Sequence, residues 1–218
     1  MISSNAMQEI ILLVSRYPIL TPLKDAIINS IEIITESVYK GGKLLICGNG
    51  GSATDSLHIV GELMKGFVLK REIDPALREI LIRDYPEDAD FYINNLQKSI
   101  FSISLVNEIA LTTAFSNDKA SELVFAQQVL GYGRKGDVLL AISTSGDSEN
   151  VIHSAKISHA LGIKVISLTG ENGGKLKNFS DVLINVPSSN TYQIQELHLP
   201  VYHAICLALE QEFFSLKR

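Results

Sequence analysis

The chain has 218 residues, 46% of them hydrophobic, and a formal net charge of −5; this allows one substantial core and argues against a nucleic-acid backbone as principal ligand. Two cysteines are too few for a disulfide framework, so a reducing, cytoplasmic setting is expected. No apolar run approaches the length of a membrane span and no basic leader precedes a long apolar segment, so no membrane partner is expected either.

Ser4-Asn5-Ala6-Met7 reads as a cloning remnant ahead of a native methionine, and residues 1–6 are set aside from the fold. From Gln8 to Tyr17 and again from Leu23 to Tyr39, apolar residues recur at helical spacing, with Pro18 and Pro22 at the join. The second stripe, through Ile27, Ile28, Ile31, Ile34 and Val38, is wide enough to serve a core or an oligomer contact.

Leu44 to Glu62, LLICGNGGSATDSLHIVGE, is the stretch around which the rest of the chain is organised. Its apolar start suits a strand buried on both faces, and the Gly/Asn/Ser run supplies a turn into a helix beginning near Ser52. The first turns of such a helix offer unpaired N–H groups and a positive dipole end to an anion or to sugar hydroxyls. His58 and Glu62 then share one helix face, which places an acid/base or metal-binding pair close to that loop. The plainer alternative is an ordinary strand-to-helix turn followed by an exposed surface pair.

Arg71 to Lys98 is the most charged part of the chain, and Pro75 and Pro86 at candidate helix starts predict two short surface helices. Phe101 to Val106 reads as a strand, and Val124, Val129 and Leu130 mark an amphipathic helix beginning near Asp118. Asp137 to Ile142 is the next buried strand, followed by STSGDS and a helix to Leu161; Lys164 to Leu168 and Asp181 to Val186 repeat the strand pattern. Tyr192 to Leu216 reads as a long apolar-striped helix carrying Gln195, Glu196, His198 and His203. Histidines on such a helix are commonly packing residues, although one of them could complete chemistry begun by Glu62. Alternating strands and helices predict an α/β fold, a parallel sheet with helices on both faces.

GNGGS and STSGDS each fall at the carboxyl end of a strand, where open parallel sheets bind ligands. Ser143, Thr144, Ser145 and Ser148 offer hydroxyls at a helix start with no Lys or Arg in the loop, and hydroxyls plus N–H groups suffice for a phosphate there. A simple helix cap by Asp147 or Ser148 is the plainer reading, but it needs fewer hydroxyls. Dinucleotide binding fits poorly. GNGGSA lacks the third glycine of G-x-G-x-x-G, no acidic residue ends the next strand at the expected spacing, and the triphosphate-binding G-x-x-x-x-G-K-[ST] does not occur.

With CGNGGSATDSLHIVGEL, Asn117-Asp118, GDVLLAISTSGDSENVI, LTGENGGKL and IQELHLPVYH in one order, the chain resembles the sugar isomerase (SIS) domains, and within them the phosphoheptose isomerases. The resemblance covers most of the chain outside residues 71–101. It implies a three-layer Rossmann-like α/β domain over residues 7–218 with 71–101 as a helical insertion, and a homotetramer with active sites between subunits. It also implies conversion of sedoheptulose 7-phosphate to D-glycero-D-manno-heptose 7-phosphate, which feeds nucleotide-activated heptose for lipopolysaccharide, capsule or surface-layer glycans.

By matching position, Ser143, Thr144, Ser145 and Ser148 bind phosphate, while Asn49 and Ser52 contact the sugar, joined at the substrate by Gly50, Gly51, Asn117, Asp118 and Gln195. Glu62 matches the catalytic carboxylate and His203 the catalytic histidine. His58, Glu62, Gln195 and His203 match a set that binds zinc in some members. Gln195 and His203 stand about 12 Å apart along an ideal helix. They share one ion only by pointing toward each other, through a non-helical start, or from different subunits.

The chemistry agrees with this assignment: moving a carbonyl between C1 and C2 needs a base for a carbon-bound proton and an acid for oxygen, tasks that Glu and His can divide. Four departures from the family pattern bear on which sugar is used. Glu108 stands where Asp is usual, Asp147 replaces Asn, Tyr192-Gln193 precedes I-Q-E, and residues 71–101 are longer. The competing readings are a non-catalytic SIS sensor or replication-initiation adaptor, and an isomerase of another ketose phosphate. Such adaptors lose the catalytic Glu and His, whereas Glu62 and His203 are both present.

Overall fold

Leu44–Cys47 (β1), Ser102–Ser104 (β2), Val138–Ser143 (β3), Lys164–Gly170 (β4) and Val182–Val186 (β5) form one parallel sheet in the order β2-β1-β3-β4-β5. The structure is a computed structural model and describes residues 1–215. Leu44 and Ile46 of β1, Val138, Leu140 and Ile142 of β3, and Ile166 and Leu168 of β4 face one layer, while Leu45, Cys47, Leu139, Ala141 and Val165 face the other. Both sides of the central strands are buried, which is why they read as continuous apolar runs.

Ser4–Arg16 (α1), Lys24–Tyr39 (α2), Gly51–Leu63 (α3) and Thr191–Phe214 (α9) pack on the first face. Val124–Tyr132 (α7) and Glu149–Ala160 (α8) cover the second. Pro75–Asp84 (α4), Ala89–Asn95 (α5) and Ile109–Asp118 (α6) lie outside these layers and bury little. The expected three-layer α/β architecture is the one observed.

Several boundaries differ from the sequence expectation. The segment set aside at the N-terminus supplies the first turn of α1: the Ser3 hydroxyl accepts the Ala6 N–H at 3.2 Å, and Ala6 is fully buried. Asp118 does not open a helix but closes α6, and the amphipathic helix starts at Val124. None of the α6 side chains is buried, with Ile109 73% exposed, so the apolar periodicity that betrays a packed helix is missing there. Pro75 does open α4, but Pro86 lies in a turn and α5 begins at Ala89. Leu216, the expected end of the last helix, lies outside the described residues.

The strand order puts the change of chain direction between β1 and β3, since the chain passes from β1 to β2 on one side and continues with β3 on the other. Ligands of open α/β sheets bind at that point, beyond the strand carboxyl ends. GNGGS leaves β1 there, and STSGDS leaves β3 beside it.

Candidate active site

Gly50 adopts φ 54°, in the region that favours glycine, and turns the chain from β1 into α3. The Ser52 N–H then donates to the Asn49 carbonyl at 3.0 Å, and the Ser52 side chain is buried under the turn. Gln195 of α9 lies over Gly51, its amide occupying the space a Cβ would need. Asn49 makes a reciprocal amide pair with Asn150 of α8, at 2.8 and 2.9 Å.

In STSGDS the Ser143 and Ser148 hydroxyls lie 3.1 Å apart, and Ser143 also accepts the Gly146 N–H at 3.1 Å. Ser145 accepts the Asp147 N–H at 3.1 Å. Ser148 stands at the N-cap of α8 without a side-chain hydrogen bond to the helix, so the simple capping reading is overturned. The Asp147 carboxylate accepts the Lys175 N–H at 2.9 Å, which turns its charge toward the loop after β4. Gly146, at φ 70°, packs directly on Gly173 and Gly174 of that loop, and any side chain would collide with their backbone.

A second cluster lies on α3 and α9, which run parallel: Gln195 faces Gly51, Tyr202 faces Asp55 and His58, and His203 faces His58. His58 bridges two groups, its Nε2 3.3 Å from Glu62 Oε1 and its Nδ1 3.1 Å from the Tyr202 hydroxyl. Tyr202 in turn donates to Asp55 at 3.3 Å. The His203 ring stands edge-on to His58 with centroids 4.9 Å apart, and its Nε2 is buried without a partner. Lys65 holds the other Glu62 oxygen at 3.1 Å.

Burial, and then the neighbouring His58, lower the pKa of His203, while the Glu62 carboxylate acts in the opposite direction. Burial also raises the Asp55 carboxyl, against the hydrogen bond from Tyr202 and the field of His58, and it is the main cause pushing the Tyr202 phenol up. Asp55 and Tyr202 escaped the sequence reading. The signal was present in retrospect, because Asp55 precedes His58 by one helical turn and Tyr202 adjoins His203.

The SIS domain family model matches residues 13–88 and 94–170. The chain belongs to the SIS-domain family. A phosphoheptose isomerase of Helicobacter pylori strain P12 is 37% identical over 194 residues, covering 89% of this chain and 88% of that protein. Among solved structures, phosphoheptose isomerase GmhA from Neisseria gonorrhoeae aligns with a TM-score of 0.72 at 31% identity, covering 94% of each chain. A phosphoheptose isomerase from Francisella tularensis aligns with a TM-score of 0.74 at 31% identity, over 90% of this chain and 91% of that one.

Not all site residues expected of the SIS domain come together within one chain. Glu62, His58 and His203 do, and Asn49 to Ser52 lie beside Ser143 to Ser148. Asn117 and Asp118 sit exposed at the end of α6 and hydrogen-bond to each other at 2.9 Å. Gln195 is fully inside α9 and opposes the start of α3, about two turns from His203. A non-helical start is thereby removed as a way of bringing the two together. Among the described residues, no three His, Cys, Asp or Glu side chains are arranged as a metal-binding group. His58, Glu62 and His203 carry donor types that suit zinc, whereas the Gln195 amide does not, and their arrangement in one chain does not fit the four-residue set.

Proposed function

We propose that this SIS domain is a phosphoheptose isomerase, interconverting sedoheptulose 7-phosphate and D-glycero-D-manno-heptose 7-phosphate through an enediol. The observation that carries the reading is the meeting of Glu62 with His58 and His203 on α3 and α9. It occurs in a chain similar, over most of its length, to proteins named phosphoheptose isomerase.

In this reading the phosphate rests on the Ser143, Thr144, Ser145 and Ser148 hydroxyls and the first N–H groups of α8. Asn49 and Ser52 contact the sugar. Glu62 takes a proton from C1 while the O2 carbonyl oxygen gains one, which gives the enediol; return of a proton to C2, with loss of the O1 proton, leaves the carbonyl at C1. His203 moves the oxygen-bound proton, a role supported by its lowered pKa and its unpartnered Nε2.

We further propose that active sites lie between subunits of a homotetramer. Along α3, the backbone positions of Ser52 and Glu62 are separated by about 15 Å, more than an extended seven-carbon chain spans, which supports a site in which sugar contacts of one copy combine with Glu62 and His203 of another. A cleft of about 280 Å³ between α1 and α9, lined by Leu12, Arg16, Glu196, Leu199 and His203, brings one side of the histidine to a surface such a neighbour can reach, while its Nε2 stays buried. Exposed Leu77, Ile80 and Phe91 give the 71–101 excursion apolar surface for the same assembly. Zinc is proposed for the oligomer and not for the single chain, because a set of His58, Glu62, Gln195 and His203 needs completing across a subunit boundary. A cytoplasmic setting is proposed from the two free, buried thiols, Cys47 and Cys206.

The test is incubation of the purified protein with a panel of ketose phosphates, following aldose formation. Fastest turnover is expected with sedoheptulose 7-phosphate. Tight binding without aldose formation from any of them indicates a sensor or adaptor instead.

A further inference from the structure

The two ligand loops leave neighbouring strands and are joined by one side-chain pair. Asn49 Nδ2 donates to Asn150 Oδ1 at 2.8 Å, and Asn150 Nδ2 donates back to Asn49 Oδ1 at 2.9 Å. Reciprocal pairing alone leaves two solutions, since turning both amides over together preserves both bonds. The backbone of α8 removes that freedom. Val151 N–H donates to Asn150 Oδ1 at 3.0 Å, and a backbone N–H can face only the oxygen of an amide. The orientation of Asn150 is therefore set by the first turn of α8, and that of Asn49 is set by Asn150.

From this geometry we infer that Asn150 is a positioning residue for substrate recognition. It fixes the amide of Asn49, and so decides which donor and which acceptor Asn49 presents to the sugar hydroxyls. An asparagine amide has two N–H donors and two acceptor lone pairs on its oxygen, and the pair consumes one of each. One of each is left in a defined place. The same pair ties the GNGGS turn to the start of α8, so the sugar-contacting and phosphate-contacting loops keep one spacing. Neither amide is deeply buried, with Asn49 exposed and Asn150 half-buried, so water could satisfy both without the pair. The inference rests on the isomerase reading for the role of Asn49.

A double-mutant cycle on sugar-phosphate turnover tests it, with Asn49→Ala, Asn150→Ala and the double variant. Asn150→Ala is expected to lower kcat/KM for sedoheptulose 7-phosphate by about tenfold, chiefly through KM. In the Asn49→Ala background the same change should have almost no further effect. Inorganic phosphate, measured by calorimetry, should bind Asn150→Ala as it binds the wild type. Additive losses, a silent Asn150→Ala, or an equal loss of phosphate binding each overturn the inference. Should Asn150→Ala melt below the assay temperature, Asn150→Ser replaces it in the cycle, since its side chain is too short to pair with the Asn49 amide and serine is well tolerated in a first helical turn. Wild-type turnover separates the two levels: an inactive wild type sinks the isomerase reading and this inference with it, whereas an active wild type with an additive cycle sinks only the inference.

Discussion

Arg71 and Glu210 form an ion pair at 2.8 Å with both side chains fully out of solvent. Glu210 also accepts the N–H groups of Phe67, Val68 and Leu69, at 2.7, 2.9 and 3.0 Å. Arg71 donates to the carbonyls of Leu63 at 2.7 Å and Glu62 at 3.2 Å, satisfying the orphaned end of α3. The pair thus clamps α3 to α9 beside the residues proposed for catalysis. Removing one partner strands the other charge, so Arg71→Met should cost about 3–5 kcal/mol. Adding Glu210→Gln should recover part of this, because Gln removes the stranded charge and its one oxygen keeps the Val68 and Leu69 N–H groups, at the loss of the Phe67 bond. Urea unfolding of the two variants checks the order; equal stability in both would show that the stranded carboxylate carries no penalty.

Glu62 and His203 should behave as one unit. Glu62→Gln keeps size and hydrogen bonding but removes the base, and should lower turnover by roughly 10²–10⁴-fold with modest loss of sugar-phosphate binding. His203→Asn should do likewise, and the double variant should lose much less than the product of the separate losses. Single-turnover isomerisation, with thermal melts of the same proteins, decides the matter. Full activity in Glu62→Gln removes the mechanism proposed above.

The phosphate assignment predicts that Ser145→Ala with Ser148→Ala weakens binding of sugar phosphate and of inorganic phosphate alike, by roughly ten- to a hundredfold, without unfolding the protein. Ser148 is not used as a helix cap, so α8 should survive its loss. Calorimetry on the folded double variant provides the measurement, and unchanged affinity places the phosphate elsewhere.

His198 is buried beneath the end of β4, with its Nε2 3.2 Å from the Thr169 carbonyl and its Nδ1 unpartnered. Burial lowers its pKa from the ordinary 6.5 to about 4, against the hydrogen bond to Thr169. The unfolded chain takes up this proton first as pH falls. Stability contributed by the neutral ring is therefore intact above pH 6.5, declines between 6.5 and about 4, and levels off below. The loss across that window is about 3 kcal/mol. Urea midpoints of wild type and His198→Asn over this range should converge toward acid; parallel curves would show that His198 is not the group responsible.

Much of this molecule was legible in the chain because its signals are local. Buried parallel strands need unbroken apolar runs, so LLIC and the strand before STSGDS announced themselves, and two Gly/Ser-rich turns after them marked the ligand edge. The spacing of His58 and Glu62 placed them on one helix face whatever surrounded them. The helix α6 stayed hidden because burial creates periodicity, and α6 buries little in this chain beyond a partly buried Phe115.

Tertiary structure alone decided the rest, since packing brings together residues whose separation in sequence carries no signal. The parallel run of α3 and α9 puts His203 beside His58 and leaves Gln195 at Gly51, an offset set by how two helices pack and not by the spacing within either. Tyr202 joins Asp55 to His58, Asn150 locks Asn49, and Glu210 closes over Arg71 for the same reason: each is a short-range polar bond between distant stretches, and only the folded sheet and its helices set them in reach.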